Sequence, residues 1–170
     1  ARDPNSHEFA IKNNCNVQVT PLWQSYKEVS DLITRFKDAQ IKCQNKAQSK
    51  IMLLQHTFVA GSDDEIDYAA KKFSEFYGHF GAWFKNERPV DQALMKKLSV
   101  PELEVLDMYS PSVMKANLAI GNSTDVINLL KKYEGLGYDE FAYWIDSGMS
   151  FEHKKASLNR FINEVMPAFQ

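Results

Sequence analysis

The sequence predicts an α/β fold, a parallel sheet whose strands alternate with helices. Three observations carry this. Between Gly121 and Ile145 the chain spells one complete helix-then-strand unit. Short apolar runs recur elsewhere, separated by apolar stripes of helical period. The composition, 44% hydrophobic and 25% charged over 170 residues, suits one sizeable core, so residues 1–170 are read as a single domain.

Taken in order, Asp3-Pro4-Asn5-Ser6 is a turn into a helix over Pro4 to Asn13, with proline at a first helical position. Its buried side is expected to run from His7 or Glu8 through Phe9, Ala10 and Ile11, and Asn13-Asn14 stops it. Val17 to Thr20 is a short strand closed by Pro21-Leu22-Trp23. A long helix from Ser25 to Lys46 turns Val29, Leu32, Ile33, Phe36 and Ala39 inward. Ile51 to Ala60 is the next strand, an apolar run with His56 in its middle. Ser62 and Glu65 then form a capping box for a helix striped with Ile66, Ala69, Ala70, Phe73, Phe76, Tyr77 and Phe80. Gly78 and Gly81 inside that stripe either loosen the helix or admit another element closely.

From Asn86 to Ala116 the period weakens and Pro89, Pro101 and Pro111 punctuate it, which reads as a lid or insertion (86–116). Asn122, Ser123, Thr124 and Asp125 start a helix whose stripe is Val126, Leu129, Leu130 and Tyr133, and Gly135 and Gly137 stop it. Phe141 to Ile145 follows as a buried parallel strand. After a turn at Asp146-Ser147-Gly148, Ser150 caps a last helix facing inward through Leu158, Phe161, Ile162 and Val165. Strands at 16–20, 51–60 and 138–145 do not close a barrel, and parallel strands with open edges stand poorly alone. Part of the sheet is therefore expected from elsewhere.

A net charge of −2 leaves no basic face for nucleic acid, and no apolar stretch approaches a membrane span. Cys15 and Cys43 are too few for a disulfide framework and read as free thiols of a reducing, cytoplasmic setting. His56 reads as a core histidine bonded to a neighbour; His79 and His153 have no partner at nucleophile or metal spacing, and no metal site is expected. Asp139 and Glu140 precede a strand, at the end that serves stability; Asp146, just past that strand, is the better-placed carboxylate. No phosphate loop, Cys-x-x-Cys pair or dinucleotide fingerprint occurs.

Three stretches carry a family resemblance: Ala1 to Ala10; Asn86 to Met114; and Gly137-Tyr138-Asp139-Glu140 through Trp144 with Phe161 to Glu164-Val165-Met166-Pro167. In order and separation they resemble the second half of the bacterial-luciferase-like, flavin-dependent monooxygenases. The resemblance implies the C-terminal half of a TIM (β/α)8 barrel, with outer helices and a mobile lid over 86–116. It implies reduced FMN (or a deazaflavin) as cofactor, O2, a small organic substrate and a flavin reductase, with catalytic groups mostly outside this chain. Arg2, Asp3 and Ser6 match the turn that holds the flavin phosphate; Asp3 is expected to cap the helix. Thr20 and Trp23 end a barrel strand, where Trp23 is a candidate to lie beside the flavin ring. Alone, the half-barrel is expected to be inactive. The alternative is a non-catalytic assembly module pairing its open edges with a second copy or a complementary N-terminal half.

Overall fold

Local chemistry starts and stops each expected helix. In the computed structural model, which describes residues 2–44, 49–86 and 88–170, helix α1 spans Pro4–Lys12. Asp3 is its N-cap, the carboxylate accepting the Ser6 N–H at 3.1 Å. Asn14, past its end, takes φ of 55°. Its inner face is His7 and Ile11, one turn apart. Phe9 departs from expectation at 72% exposed, because two residues turn a helix by about 200° and carry it to the far side. Helix α2 (Tyr26–Cys43) buries the five residues expected of it; the expected end at Lys46 lies outside the described residues.

The sheet is parallel and centred on one strand. β1 (Val17–Val19) pairs with β2 (Ile51–Val59) from Ile51 to Leu53, and β6 (Glu140–Trp144) pairs with β2 from Met52 to His56. Met52 and Leu53 meet both partners, so β1 and β6 lie on opposite edges of β2. β5 (Ala119–Gly121) pairs with Thr57 to Val59. The sequence reading omitted this strand: it is three residues long, and its Gly121 doubles as the approach to the next helix cap. β6 also differs from expectation. It begins at Glu140 and its residues are exposed or half-buried, because it is an edge strand paired with β2 alone among the described residues.

Helices cover both faces. Leu53 and Val59 share a core with α1, α2 and α6 (Ser123–Leu136), whereas Phe58 packs against α3 (Asp63–Phe84). Strand side chains alternate, so α3 lies across the face opposite α2 and α6. The sequence expected an outer layer of helices; α3 packs with Phe58 in a second core, apart from that of α2 and α6. Ser62 caps α3, and Glu65 reaches back to the Gly61 N–H at 2.7 Å. Asn122 and Asp125 form a capping box for α6, which ends at Gly137 with φ of 102°.

The segment expected to be an insertion is built from small pieces: a hairpin of β3 (Val90–Asp91) and β4 (Leu94–Met95), α4 (Val100–Glu104), a 3-10 turn at Asp107–Tyr109 and α5 (Pro111–Asn117). The two helical glycines are where it touches α3. A Cβ on Gly78 would meet Leu103, and one on Gly81 would meet Tyr109. α7 (Phe151–Arg160) continues into a π turn at Phe161–Val165 and a 3-10 turn at Met166–Phe169. Within this last helical stretch Val165 is buried and Leu158 and Phe161 half-buried. Ile162, expected inside, is 47% exposed, because the wider π turn rotates it outward.

Candidate functional site

Parallel strands bring their carboxyl ends to one edge, where ligands of open α/β sheets bind. On the way to that end, from the middle of β2, the chain buries three consecutive polar residues, Gln55, His56 and Thr57. Each is fully used. Gln55 donates to the Asn117 carbonyl at 2.9 Å and accepts from the Tyr133 hydroxyl at 3.0 Å. His56 Nε2 lies 2.9 Å from the Asp146 carbonyl, which only accepts, so Nε2 carries the proton. Nδ1 is then the acceptor of the Tyr77 hydroxyl at 2.7 Å. The imidazole stacks on Trp144, centroids 3.9 Å apart, with Phe73 and Phe76 around it. Burial pushes its pKa down to about 4, against the pull of the Asp146 carbonyl and carboxylate. A neutral ring with both nitrogens engaged is a structural post, holding the loop after β6 to the centre of the sheet.

Ser157, on α7, does similar work. Its Oγ accepts the Val59 N–H at 2.6 Å and lies 2.7 Å from the Tyr143 hydroxyl, tying α7 to β2 and β6. Nearby, Arg160 donates to the Val59 carbonyl at 3.2 Å and to Glu65 at 2.7 Å. Asp139 binds the Ile51 N–H at 2.8 Å, a strand-register role at the amino end. Asp146 presents an 80% exposed side chain to Lys154.

Of the residues named for the flavin, Arg2 donates to Gln24 at 2.5 Å and Glu28 at 2.9 Å. That contact sets the turn before α1 beside the segment after β1, so Arg2, Asp3 and Ser6 share a neighbourhood with the residues just beyond Trp23. The Ser6 N–H and hydroxyl both point to the Asp3 carboxylate. Thr20 Oγ1 accepts the Leu22 N–H at 3.2 Å. Trp23 is half-buried against Tyr77 and Tyr109, its carbonyl accepting from Asn117. It is part of the core beneath α3.

The sequence reading passed over a groove of about 470 Å³ at this end of the sheet, between α3, Met95 and Lys97, and the Ser147-Gly148 turn. Phe76, Phe80 and Trp83 form its wall. The one signal in sequence was a Ser-Gly turn shortly after a strand. A further apolar hollow of about 440 Å³, bordered by Tyr133, Phe141 and Phe161, lies at the amino end of β6. Among the described residues no group of His, Cys, Asp or Glu is placed to hold a metal ion, and no helix is long and apolar enough to cross a membrane.

No family model matches the chain. Over 169 residues, 99% of the chain, it is 54% identical to the flavin-dependent trigonelline monooxygenase, oxygenase component, of Acinetobacter baylyi (strain ATCC 33305 / BD413 / ADP1). The chain spans about half the length of this curated relative, 47%. The structure is similar to monooxygenase RslO1 from Streptomyces bottropensis, with a TM-score of 0.66 and 18% identity over 100% of this chain and 46% of that one. It is also similar to an F420-dependent secondary alcohol dehydrogenase in complex with an F420-acetone adduct, with a TM-score of 0.62 and 12% identity over 98% of this chain and 46% of that one. The α/β fold is thus shared with about half of each solved chain. The resemblance to flavin-dependent monooxygenases read from the sequence holds along essentially all of this chain.

Proposed function

We propose that this chain forms part of the barrel of a flavin-dependent monooxygenase that uses reduced flavin and O2 to oxygenate a small organic substrate. The observation that carries the reading is the 54% identity across 99% of the chain to an enzyme of that activity. By this reading the chain is the C-terminal half of the barrel and a flavin reductase supplies the reduced cofactor. Residues 86–116 close over the site. Free thiols at Cys15 and Cys43 are in keeping with a cytoplasmic setting.

Arg2 and Ser6 fit a flavin phosphate in kind: a guanidinium, a hydroxyl and the N–H groups of a helix start. Asp3 is the competitor, since its carboxylate already takes both Ser6 donors. Phosphate binding therefore requires Ser6 to leave Asp3 and Arg2 to turn from Gln24 and Glu28. Thr20 and Trp23 would flank the ring. Bound reduced flavin would supply the reaction with O2 and the transfer of one oxygen atom. This chain's own residues position and enclose: Trp23, Tyr77 and Tyr109 form a dry aromatic floor, and His56 anchors the loop after β6.

By this reading most catalytic groups lie outside the chain, and the chain alone is expected to be inactive. Supplied with reduced FMN, O2 and trigonelline, it should give no turnover; measurable product would refute this. Mixed with the unmatched portion of the Acinetobacter enzyme, it should restore turnover. A second reading, an assembly module, is favoured by the outer edges of β1 and β6, each paired only with β2 among the described residues. Sedimentation equilibrium separates the two, since a monomer at every concentration speaks against pairing through these edges.

A further inference from the structure

We propose that Tyr77 is a redox-active tyrosine: it yields one electron to an oxidant on the Trp23 side of the core while its phenolic proton moves to His56 Nδ1. That an O2-using site supplies such an oxidant rests on the oxygenase reading above; the Tyr77–His56 couple itself does not.

The hydrogen bond sets Tyr77 apart from other tyrosines of the interior. Tyr133 donates to the side-chain amide of Gln55 and Tyr138 to the Val29 carbonyl, and neither acceptor can keep a proton. The Tyr143 hydroxyl lies against that of Ser157, which is no better a base. Tyr77 donates at 2.7 Å to the unprotonated nitrogen of a neutral imidazole, whose other nitrogen already donates to the Asp146 carbonyl. Water offers no other outlet, because Tyr77 and His56 are both 0% exposed. Burial also pushes the phenol's own pKa up, so Tyr77 keeps its proton at rest. An oxidised phenol is a far stronger acid than an imidazolium whose pKa, lowered by burial, is about 4, so oxidation drives the proton across to His56. There the Asp146 carbonyl, accepting from Nε2, steadies the charged ring.

The second observation is where the chain's three tryptophans stand, since all of them join the ring set around Tyr77. Trp23 meets Tyr77 directly, centroids 5.5 Å apart. Trp144 stacks on His56 at 3.9 Å, and His56 meets Tyr77 edge-on at 5.3 Å. Trp83 is reached through Phe80, which lies 6.2 Å from Tyr77 and 5.8 Å from Trp83. Trp83 is 60% exposed, so the set runs from the interior to solvent. Electrons cross such ring-to-ring spacings, and a hole entering at a tryptophan comes to rest on the tyrosine that can shed its proton. The step balances. The oxidant gains one electron, the Tyr77 O–H bond breaks and an N–H bond forms at His56 Nδ1, leaving a neutral phenoxyl radical and an imidazolium. One electron from a soluble reductant such as a thiol or ascorbate, with return of the proton, restores both residues.

The test is flash oxidation of the chain by photogenerated tris(bipyridine)ruthenium(III), a one-electron oxidant. Transient absorption and electron paramagnetic resonance of the frozen sample read the product. A long-lived tyrosyl radical should form, vanish in Tyr77→Phe and persist in Tyr133→Phe. His56→Gln keeps an acceptor for the hydroxyl but no base, and should slow radical formation about a hundredfold. A bond with a purely structural role would show no such loss. In the unaltered chain, equilibration in D2O should slow formation as well, and this arm stands whatever a substitution does to folding. No tyrosyl radical, one that survives Tyr77→Phe or is lost in Tyr133→Phe, or a rate indifferent to D2O would overturn the proposal. So would an unchanged rate in a folded His56→Gln variant. None of these arms needs bound flavin or turnover. Their failure removes the redox couple and leaves the oxygenase reading standing; an inactive reconstituted enzyme with an intact Tyr77 radical does the reverse.

Discussion

Gly81→Ala tests whether the 86–116 segment is seated on α3 by the absence of a side chain. A Cβ at Gly81 would overlap the Tyr109 hydroxyl and come within 2.9 Å of its Cε2 and Cζ. Tyr109 is 3% exposed and wedged against Trp23 at 5.0 Å, so it yields only if the 107–109 turn lifts. Overpacking costs about 1–3 kcal/mol, and a buried ring held this closely puts Gly81→Ala in the upper part of that range, about 2–3 kcal/mol. Replacing a mid-helix glycine by alanine returns about 1 kcal/mol. The clash wins, for a net loss of about 1–2 kcal/mol and a fall in Tm of about 2–8 °C. Gly78→Ala is the control. Its Cβ meets Leu103 Cδ2 at 2.5 Å, the tip of a half-buried, flexible side chain that swings aside cheaply. It should stay within about 0.5 kcal/mol of the parent. Urea unfolding of the three proteins measures the difference. A Gly81→Ala variant as stable as the parent, or less destabilised than Gly78→Ala, would refute the docking.

Ser157→Ala removes the acceptor of the buried Val59 N–H and the partner of Tyr143, and should cost about 1–3 kcal/mol in urea unfolding. His56 has a pKa of about 4 in the fold against about 6.5 when unfolded. Its contribution is full above pH 6.5 and fades by about 3 kcal/mol as pH falls toward 4, because only the unfolded chain takes the proton there. The stability–pH slope over that window should therefore fall by up to about one proton in His56→Gln; an unchanged slope would place the titration elsewhere. Asp3→Ala removes the α1 cap and should cost about 1 kcal/mol, whereas Asp3→Asn, which keeps an acceptor, should cost less, as read by thermal unfolding.

Helices were legible because caps and stripes are local chemistry. Asp3, Ser62 and Ser150 each accept from an N–H three residues on, as their sequence context requires. The inner face of α2 emerged whole for the same reason. A stripe says that a helix is buried but not on which side of a sheet, so the crossing of α3 to the face of Phe58 was hidden. β5 was hidden because three residues hold no period. Gly78 and Gly81 were noticed without a partner, which Leu103 and Tyr109 supply from more than twenty residues away. The candidate site divides in the same manner. The turn at Arg2 and Ser6 is a sequence pattern, while the Ser147 groove depends on α3 and the loop after β6 meeting in space.

The most direct measurement of the central claim is turnover by a chimera in which this chain replaces the matching 47% of the Acinetobacter enzyme. Given reduced FMN and O2, the chimera should oxygenate trigonelline, and this chain by itself should not. A folded chimera that binds FMN yet forms no product, or equal product from the isolated chain, would contradict the account.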